Sequence, residues 1–251
     1  MYSSECKRSV EKCIMALPKL NNDAPSYSLT VPSTKKTINY RPFLVKEQRN
    51  LLIALESKDP KMVLNAVLTC IESCSPNINA SKLSTFDVDY MFTQIRGKSV
   101  GETTKILSEC AECKHEHTIN LNLDDIKIDH KRVDNVIPIT ENINIVMKYP
   151  TYDDLMKNDS VFNEDKTAVE LLFETIISCI DSVQTEDENI SLKDEPRAEV
   201  EAFINSLTNL QLEKLSLFVD AMPSLEHTID YVCESCSHAN TLTLKGIQDF
   251  F

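Results

Sequence analysis

Apolar positions recur along this chain with two spacings, every second residue or every third to fourth, and the switches between them mark its elements. Ser28–Val31 and Thr37–Arg41 alternate on either side of Pro32-Ser-Thr-Lys-Lys36, which predicts a hairpin. Helical spacing follows. Lys46–Ser57 predicts a helix burying Leu51, Leu52 and Leu55. Asp59 as cap, with Pro60 at the first position, opens a second helix that carries Met62, Val63, Ala66, Val67 and Ile71 inward. A third helix is expected over Thr85–Arg96, with Phe86, Tyr90, Met91 and Ile95 inside and Gly97 as its stop.

The period of two returns over Glu102–Leu107, Thr118–Leu123 and Asn135–Tyr149, the last long enough for two strands. Thr151 with Asp154 has the spacing of a capping box. Ala168–Ile180 is apolar nearly all round and so predicts a central buried helix. An acidic loop and helices over Pro196–Leu207 and Leu210–Ala221 come next, and Thr228–Val232 and Ala239–Leu244 close the chain with strands. The fold class expected is α+β, helical parts with antiparallel hairpins joined by a four-cysteine zinc-ribbon-like site. Its segments are a tail (1–26), a hairpin with helices (27–107), a first cysteine knuckle with strands (108–150), a helical insertion (151–224), and a second knuckle with the last strand (225–251).

Composition narrows the setting. With 42% hydrophobic and 26% charged residues the chain reads as an ordinary globular protein. No apolar run approaches the ~20 residues needed to span a bilayer. Met1–Leu17, interrupted by Lys7, Arg8, Glu11 and Lys12, makes a poor signal peptide. Cys6, Val10, Cys13, Ile14 and Leu17 fall on one helical stripe of that stretch, the pattern of a docking peptide or of a frayed end. The expected location is therefore the cytosol, where thiols stay reduced and the nine cysteines point to metal or redox chemistry more than to disulfides. A net charge of −13 argues against general affinity for nucleic acid or anionic membranes. Charge is nonetheless uneven: Asp181–Glu201 holds eight carboxylates against two cations, and Lys35–Lys61 seven cations against three carboxylates. Such polarity suits docking to proteins, although a solvated surface is the commoner reason for it.

The chemical signal lies in two cysteine pairs. Cys110-Ala-Glu-Cys113-Lys-His-Glu-His-Thr-Ile-Asn-Leu and Cys233-Glu-Ser-Cys236-Ser-His-Ala-Asn-Thr-Leu-Thr-Leu share the frame C-x-x-C-x-H-x-x-T-φ-x-L, where φ is apolar. Two residues between thiolates let both sulfurs point into one turn, and two such turns supply the four sulfurs of a tetrahedral zinc site at ~2.3 Å. Cys110, Cys113, Cys233 and Cys236 are thus the expected ligands of one structural Zn2+. Iron is the other occupant of a four-cysteine site. The glycine that usually follows the second cysteine of a knuckle is replaced by Lys114 and Ser237. His115 and His238 repeat as well, but four sulfurs already fill the site, so they are expected outside it. A closed sulfur shell leaves no position for substrate. Cys70 and Cys74, four apart on the second helix, are expected to be small core residues.

No catalytic pattern emerges elsewhere. Three glycines are too few for phosphate-cradling loops. His117, His130 and His227 stand at no recognisable spacing from a Ser, Cys or metal-ligand partner. Asp124-Asp125, Asp153-Asp154 and Asp181 read as solvated caps and turns.

Ile38-Asn-Tyr-Arg-Pro-Phe-Leu-Val-Lys-Glu-Gln-Arg-Asn-Leu-Leu-Ile-Ala-Leu-Glu-Ser57 resembles the opening of a protein family from T4-like contractile-tailed bacteriophages. So does Leu83-Ser-Thr-Phe-Asp-Val-Asp-Tyr-Met-Phe-Thr-Gln-Ile-Arg-Gly-Lys-Ser-Val-Gly-Glu102, and the resemblance is good over residues 27–150. That family belongs to the baseplate hub and its assembly pathway. The resemblance implies a late protein, made in the host cytoplasm, whose partners are other phage baseplate hub proteins; with no catalytic pattern among its residues, a non-enzymatic protein is expected. It leaves open a permanent place in the virion tail baseplate or departure as an assembly chaperone. Arg41, Lys46 and Arg49, in the basic stretch, are the candidate partner-binding residues; they either contact a partner or flank a helix start. The competing reading is a zinc-ribbon nucleic-acid-binding factor of transcription or replication, but Glu109, Glu112, Glu116 and Glu234 beside the knuckles oppose it.

Overall fold

The first hairpin forms where alternation predicts it. Strands β1 (Tyr27–Thr30) and β2 (Thr37–Tyr40) pair antiparallel, and Lys35 turns the chain at φ 56°. The computed structural model describes residues 25–123, 126, 128, 134–157 and 167–246. Expectations for Cys6, Cys13, Asp124, Asp125 and His130 lie outside the described residues.

Three helices follow: α1 (Val45–Ser57), α2 (Pro60–Cys74) and α3 (Thr85–Val100). Asp59 caps α2 by accepting the Lys61 amide at 2.9 Å. Leu29, Val31, Tyr40, Leu51, Val67, Ile71, Met91, Phe92 and Ile95 fill the core among these elements, with Cys70 and Cys74 inside it. Three expectations need correction here. Leu52, Leu55 and Met62 are exposed, and Ala54 and Glu47 take the inward positions on α1, because only one side of that helix is covered. Gly97 does not stop α3; the helix continues to Val100 and ends at Gly101, whose φ of 145° favours glycine. At Gly97 the helix instead passes close to Leu123, where a Cβ would sit 3.5 Å from the leucine's own.

A second unit is built on a four-stranded antiparallel sheet in the order β5 (Val136–Pro138), β6 (Asn144–Met147), β7 (Ile180–Gln184), β8 (Asn189–Ser191). The predicted acidic loop therefore contains two strands; period-two alternation is short there and masked by the carboxylates. Helix α4 (Tyr152–Lys157) opens on the expected box, with Asp154 accepting from the Thr151 amide and hydroxyl. Helices α5 (Ala168–Cys179), α6 (Arg197–Asn205) and α7 (Asn209–Asp220) pack Ile176, Cys179, Ile204, Leu215 and Phe218 against Ile145, Met147 and Val183. Helix α5 is not central: Val169 is 63% exposed, and Leu171 and Leu172 also face solvent. An apolar circumference says that either side can be buried, not that both are.

The units meet through Tyr149, which touches Phe86 of α3 edge-on at 5.2 Å and stacks on Phe218 of α7 at 5.7 Å. Tyr152 of α4 joins the first core and donates a hydrogen bond to Asp89 at 2.8 Å. Two long hairpins remain. Strands β3 (Thr103–Glu109) and β4 (Glu116–Asn122) form one, β9 (Glu226–Val232) and β10 (Ala239–Lys245) the other. Leu121, Leu123, Ile126, Leu225 and Leu244 pack between them as a small core of their own. Among the described residues no helix is long and apolar enough to cross a membrane.

Candidate metal centre

Each hairpin ends in a cysteine turn, and the two turns are built alike. The Cys110 amide donates to the His115 carbonyl at 2.9 Å and the Cys233 amide to the His238 carbonyl at 2.8 Å. Lys114 and Ser237 close the turns back onto the Cys110 and Cys233 carbonyls at 3.0 and 2.9 Å. Both adopt the left-handed conformation, with φ of 60° and 59°, which explains the preference for glycine at this position. The likeness extends along the strands. β4 and β10 share one burial pattern, residue for residue, and the hairpins close at their open ends through equivalent bonds, Leu123 N to Glu102 O and Gly246 N to Leu225 O. Residues 102–123 and 225–246 are thus one structural unit used twice, related in sequence by the repeated cysteine frame.

The turns face each other and bring four sulfurs together. Cys110 Sγ lies 3.7 Å from Cys236 Sγ, Cys113 Sγ lies 3.6 Å from Cys233 Sγ, and all four fall within 4.8 Å of one another. A disulfide would need about 2.05 Å, so these are free thiols. A tetrahedron with arms of ~2.3 Å has edges of ~3.8 Å, which fits the closest pairs and suits Zn2+. Cys110 and Cys233 are buried, while Cys113 and Cys236 are reached by solvent at the tips.

Local donors favour thiolate at the buried positions. Amides of Cys113 and Glu112, with the Asn240 side chain, bring the Cys110 thiol down to about 6. Burial would raise Cys233, but the Cys236 amide and His117 outweigh it and lower that thiol as well. At Cys236 the His238 amide acts downward, yet the neighbouring sulfurs dominate and push the thiol up to about 12. Four sulfurs so close cannot all ionise without a cation among them.

Two side chains reach across from the opposite hairpin, and neither was expected from sequence. His117, buried on β4, places Nε2 3.3 Å from Cys233 Sγ. Asn240, buried on β10, places Nδ2 3.5 Å from Cys110 Sγ, while its Oδ1 accepts the Ala111 amide at 3.0 Å. Both stand seven residues after the first cysteine of their pair. Spacing along one strand does not reveal a partner on another hairpin; the shared frame position is the only sequence signal. Nearby, Tyr231 shares a 2.9 Å hydrogen bond with Ser108, its counterpart in the other half. His115 and His238 are exposed, outside the sulfur cluster, in keeping with their expected place.

The remaining candidates are elsewhere. Cys70, Cys74 and Cys179 are buried in the helical cores. Arg41 is tied inward: its guanidinium bonds Glu47 at 2.9 Å and the carbonyls of Pro42 and Ser73, each at 2.9 Å. Burial would raise the Glu47 carboxyl, but hydrogen bonds from Arg41 and the Leu44 amide hold it below the usual carboxylate range. Lys46 is largely exposed with its Nζ 3.3 Å from Glu47, and Arg49 is exposed on α1. A cleft of about 580 Å³ beside α5 and α6 is lined by ions that neutralise one another, Lys148 with Asp154 and Arg197 with Glu174 and Glu201. Three of its carboxylates, Asp154, Glu174 and Glu201, are thereby paired with cations, and Glu195 also lines it.

An α+β protein whose distant hairpins bring four cysteines into one cluster is a protein with a candidate four-cysteine metal site. The sequence comparisons place it more narrowly. The chain belongs to the T4 bacteriophage base plate protein family, whose model matches residues 24–251. It is 22% identical over 225 residues to the baseplate hub assembly protein gp26 of Enterobacteria phage T4, covering 90% of this chain and 97% of that relative. No solved structure matches it.

Proposed function

We propose that this protein acts in assembly of the phage baseplate central hub through protein–protein contacts, without catalysis, and that one Zn2+ held by Cys110, Cys113, Cys233 and Cys236 stabilises it. The observation that carries the assembly reading is the match, over 90% of this chain, to a relative named as a hub assembly protein. The bound metal would supply cross-linking alone: four thiolates complete its shell, so no position is left for water or substrate. The knuckle units then act as a clasp between chain segments on either side of the sheet-and-helix unit that runs from β5 to α7. In this reading the protein works in the host cytoplasm during assembly, and its partners are other hub proteins.

Surface chemistry supports the same conclusion. Val45 is 79% exposed and Leu52 and Ile53 about half exposed on the outer side of α1, beside Lys46 and Arg49. Apolar side chains flanked by cations make a docking face suited to an acidic neighbour, with the charges acting mainly on the on-rate. Arg41, occupied by Glu47, leaves that role to Lys46 and Arg49. The nucleic-acid reading finds no support around the knuckles, where Glu109, Glu112, Glu116 and Glu234 are exposed.

Phage encoding Lys46→Glu with Arg49→Glu should yield fewer complete baseplates, and the purified variant should bind the phage's other hub proteins more weakly, most visibly at low salt. Unchanged binding and unchanged particle yield would remove this face. Retention of the wild-type protein on single- or double-stranded DNA at physiological salt would overturn the assembly reading in favour of the nucleic-acid one.

A further inference from the structure

The two buried polar side chains beside the sulfurs form a crossed pair. His117 belongs to the first hairpin and contacts the leading cysteine of the second; Asn240 belongs to the second and contacts the leading cysteine of the first. They occupy the same position of the repeated unit and the same buried step of equivalent strands.

We infer that His117 and Asn240 are positioning residues for the metal, each donating an N–H to the other hairpin's leading thiolate so that metal affinity and hairpin pairing rise and fall together. This deepens the zinc reading and rests on it. A metal-bound cysteine is a thiolate, an acceptor only, so His117 Nε2 must carry the proton and Asn240 must present its amide NH2. Asn240 is oriented to do so, because its Oδ1 accepts the Ala111 amide and its Nδ2 also donates to the His238 carbonyl at 3.0 Å. The His117 ring is held by contacts with His115 at 4.9 Å and Tyr231 at 5.2 Å. Such outer donors spread thiolate charge and fix sulfur orientation, and losing one typically costs 10–100-fold in metal affinity. Each donor here also bridges the two hairpins. Separating the hairpins would therefore take two ligands from the metal and break both donor contacts at the same time.

The pseudo-symmetry supplies its own control. Asparagine already reaches a sulfur from this frame position, so His117→Asn should keep a donor where His117→Ala removes it. The test is zinc competition against a chromophoric chelator with the full-length protein, together with the absorption spectrum of the Co2+-substituted form. His117→Ala and Asn240→Ala should each weaken zinc about 10–100-fold. His117→Asn should stay within about threefold of wild type, and all variants should keep the sulfur-to-cobalt bands of four thiolates. Zinc affinity of His117→Ala equal to wild type would overturn the inference while leaving the four-cysteine site intact. A Co2+ spectrum showing a changed ligand set in His117→Ala would also overturn it, by making His117 a ligand. Wild-type protein that takes up no metal would instead sink the zinc reading itself, so the two failures are distinguishable.

Discussion

Removing the metal should loosen this protein by an amount set by the length of chain the cluster closes. The cysteine pairs are separated by residues 114–232, so an unfolded chain carrying the metal is cross-linked around a loop of roughly 120 residues. Loop-closure entropy for a cross-link of that span corresponds to about 5 kcal/mol at 25 °C. Part of the pairing survives without metal, because Leu121, Leu123, Leu225 and Leu244 still pack between the hairpins. A loss of a few kcal/mol is therefore expected, and at ~2–4 °C per kcal/mol for a chain of this size the melting temperature should fall by roughly 6–15 °C. Circular-dichroism melts of holo-protein and of protein stripped with chelator measure this directly. Metal analysis should show one zinc per chain in the wild type and almost none in Cys110→Ser or Cys233→Ser. Cys70→Ala and Cys179→Ala should keep it. Equal melting temperatures with and without metal would refute the clasp, and two zincs per chain would refute the shared site.

Other outcomes follow from buried ionic groups. Arg41→Ala should destabilise the fold by about 2–4 kcal/mol, because Glu47 is 4% exposed and loses its main partner, whereas Lys46→Ala should change stability by less than ~1 kcal/mol; chemical denaturation of each variant measures the contrast. Burial raises Asp89 to about 6 despite the Tyr152 hydroxyl it accepts. The folded state therefore holds that proton more tightly than the unfolded chain, and stability falls as pH rises from about 4 and levels off above about 6, by at most ~3 kcal/mol. Asp89→Asn keeps the acceptor and removes the charge, so its stability advantage over wild type should grow from pH 5 to pH 7; parallel melting curves across that range would contradict this.

The cysteine frame and its flanking alternation were legible in the sequence because both are local. Two residues between sulfurs and a strand on each side determine a knuckle whatever surrounds it, and the repeat of that frame 123 positions later announces its partner. Caps were legible for the same reason: Asp59 and the Thr151–Asp154 box act within one turn. What sequence could not decide is which neighbour covers each surface. Helix α5 is apolar on most sides, but packing covers only one of them, and α1 buries Glu47 while leaving Leu52 in solvent. Arg41 looks like a free surface cation until the fold sets Glu47 and the Ser73 carbonyl against it. His117 and Asn240 share a frame position yet differ in kind, and nothing along either strand says that each will reach a sulfur on the other hairpin. Local covalent spacing decides the knuckle; only the docking of the two hairpins, through contacts more than a hundred residues apart, decides what lies beside its sulfurs.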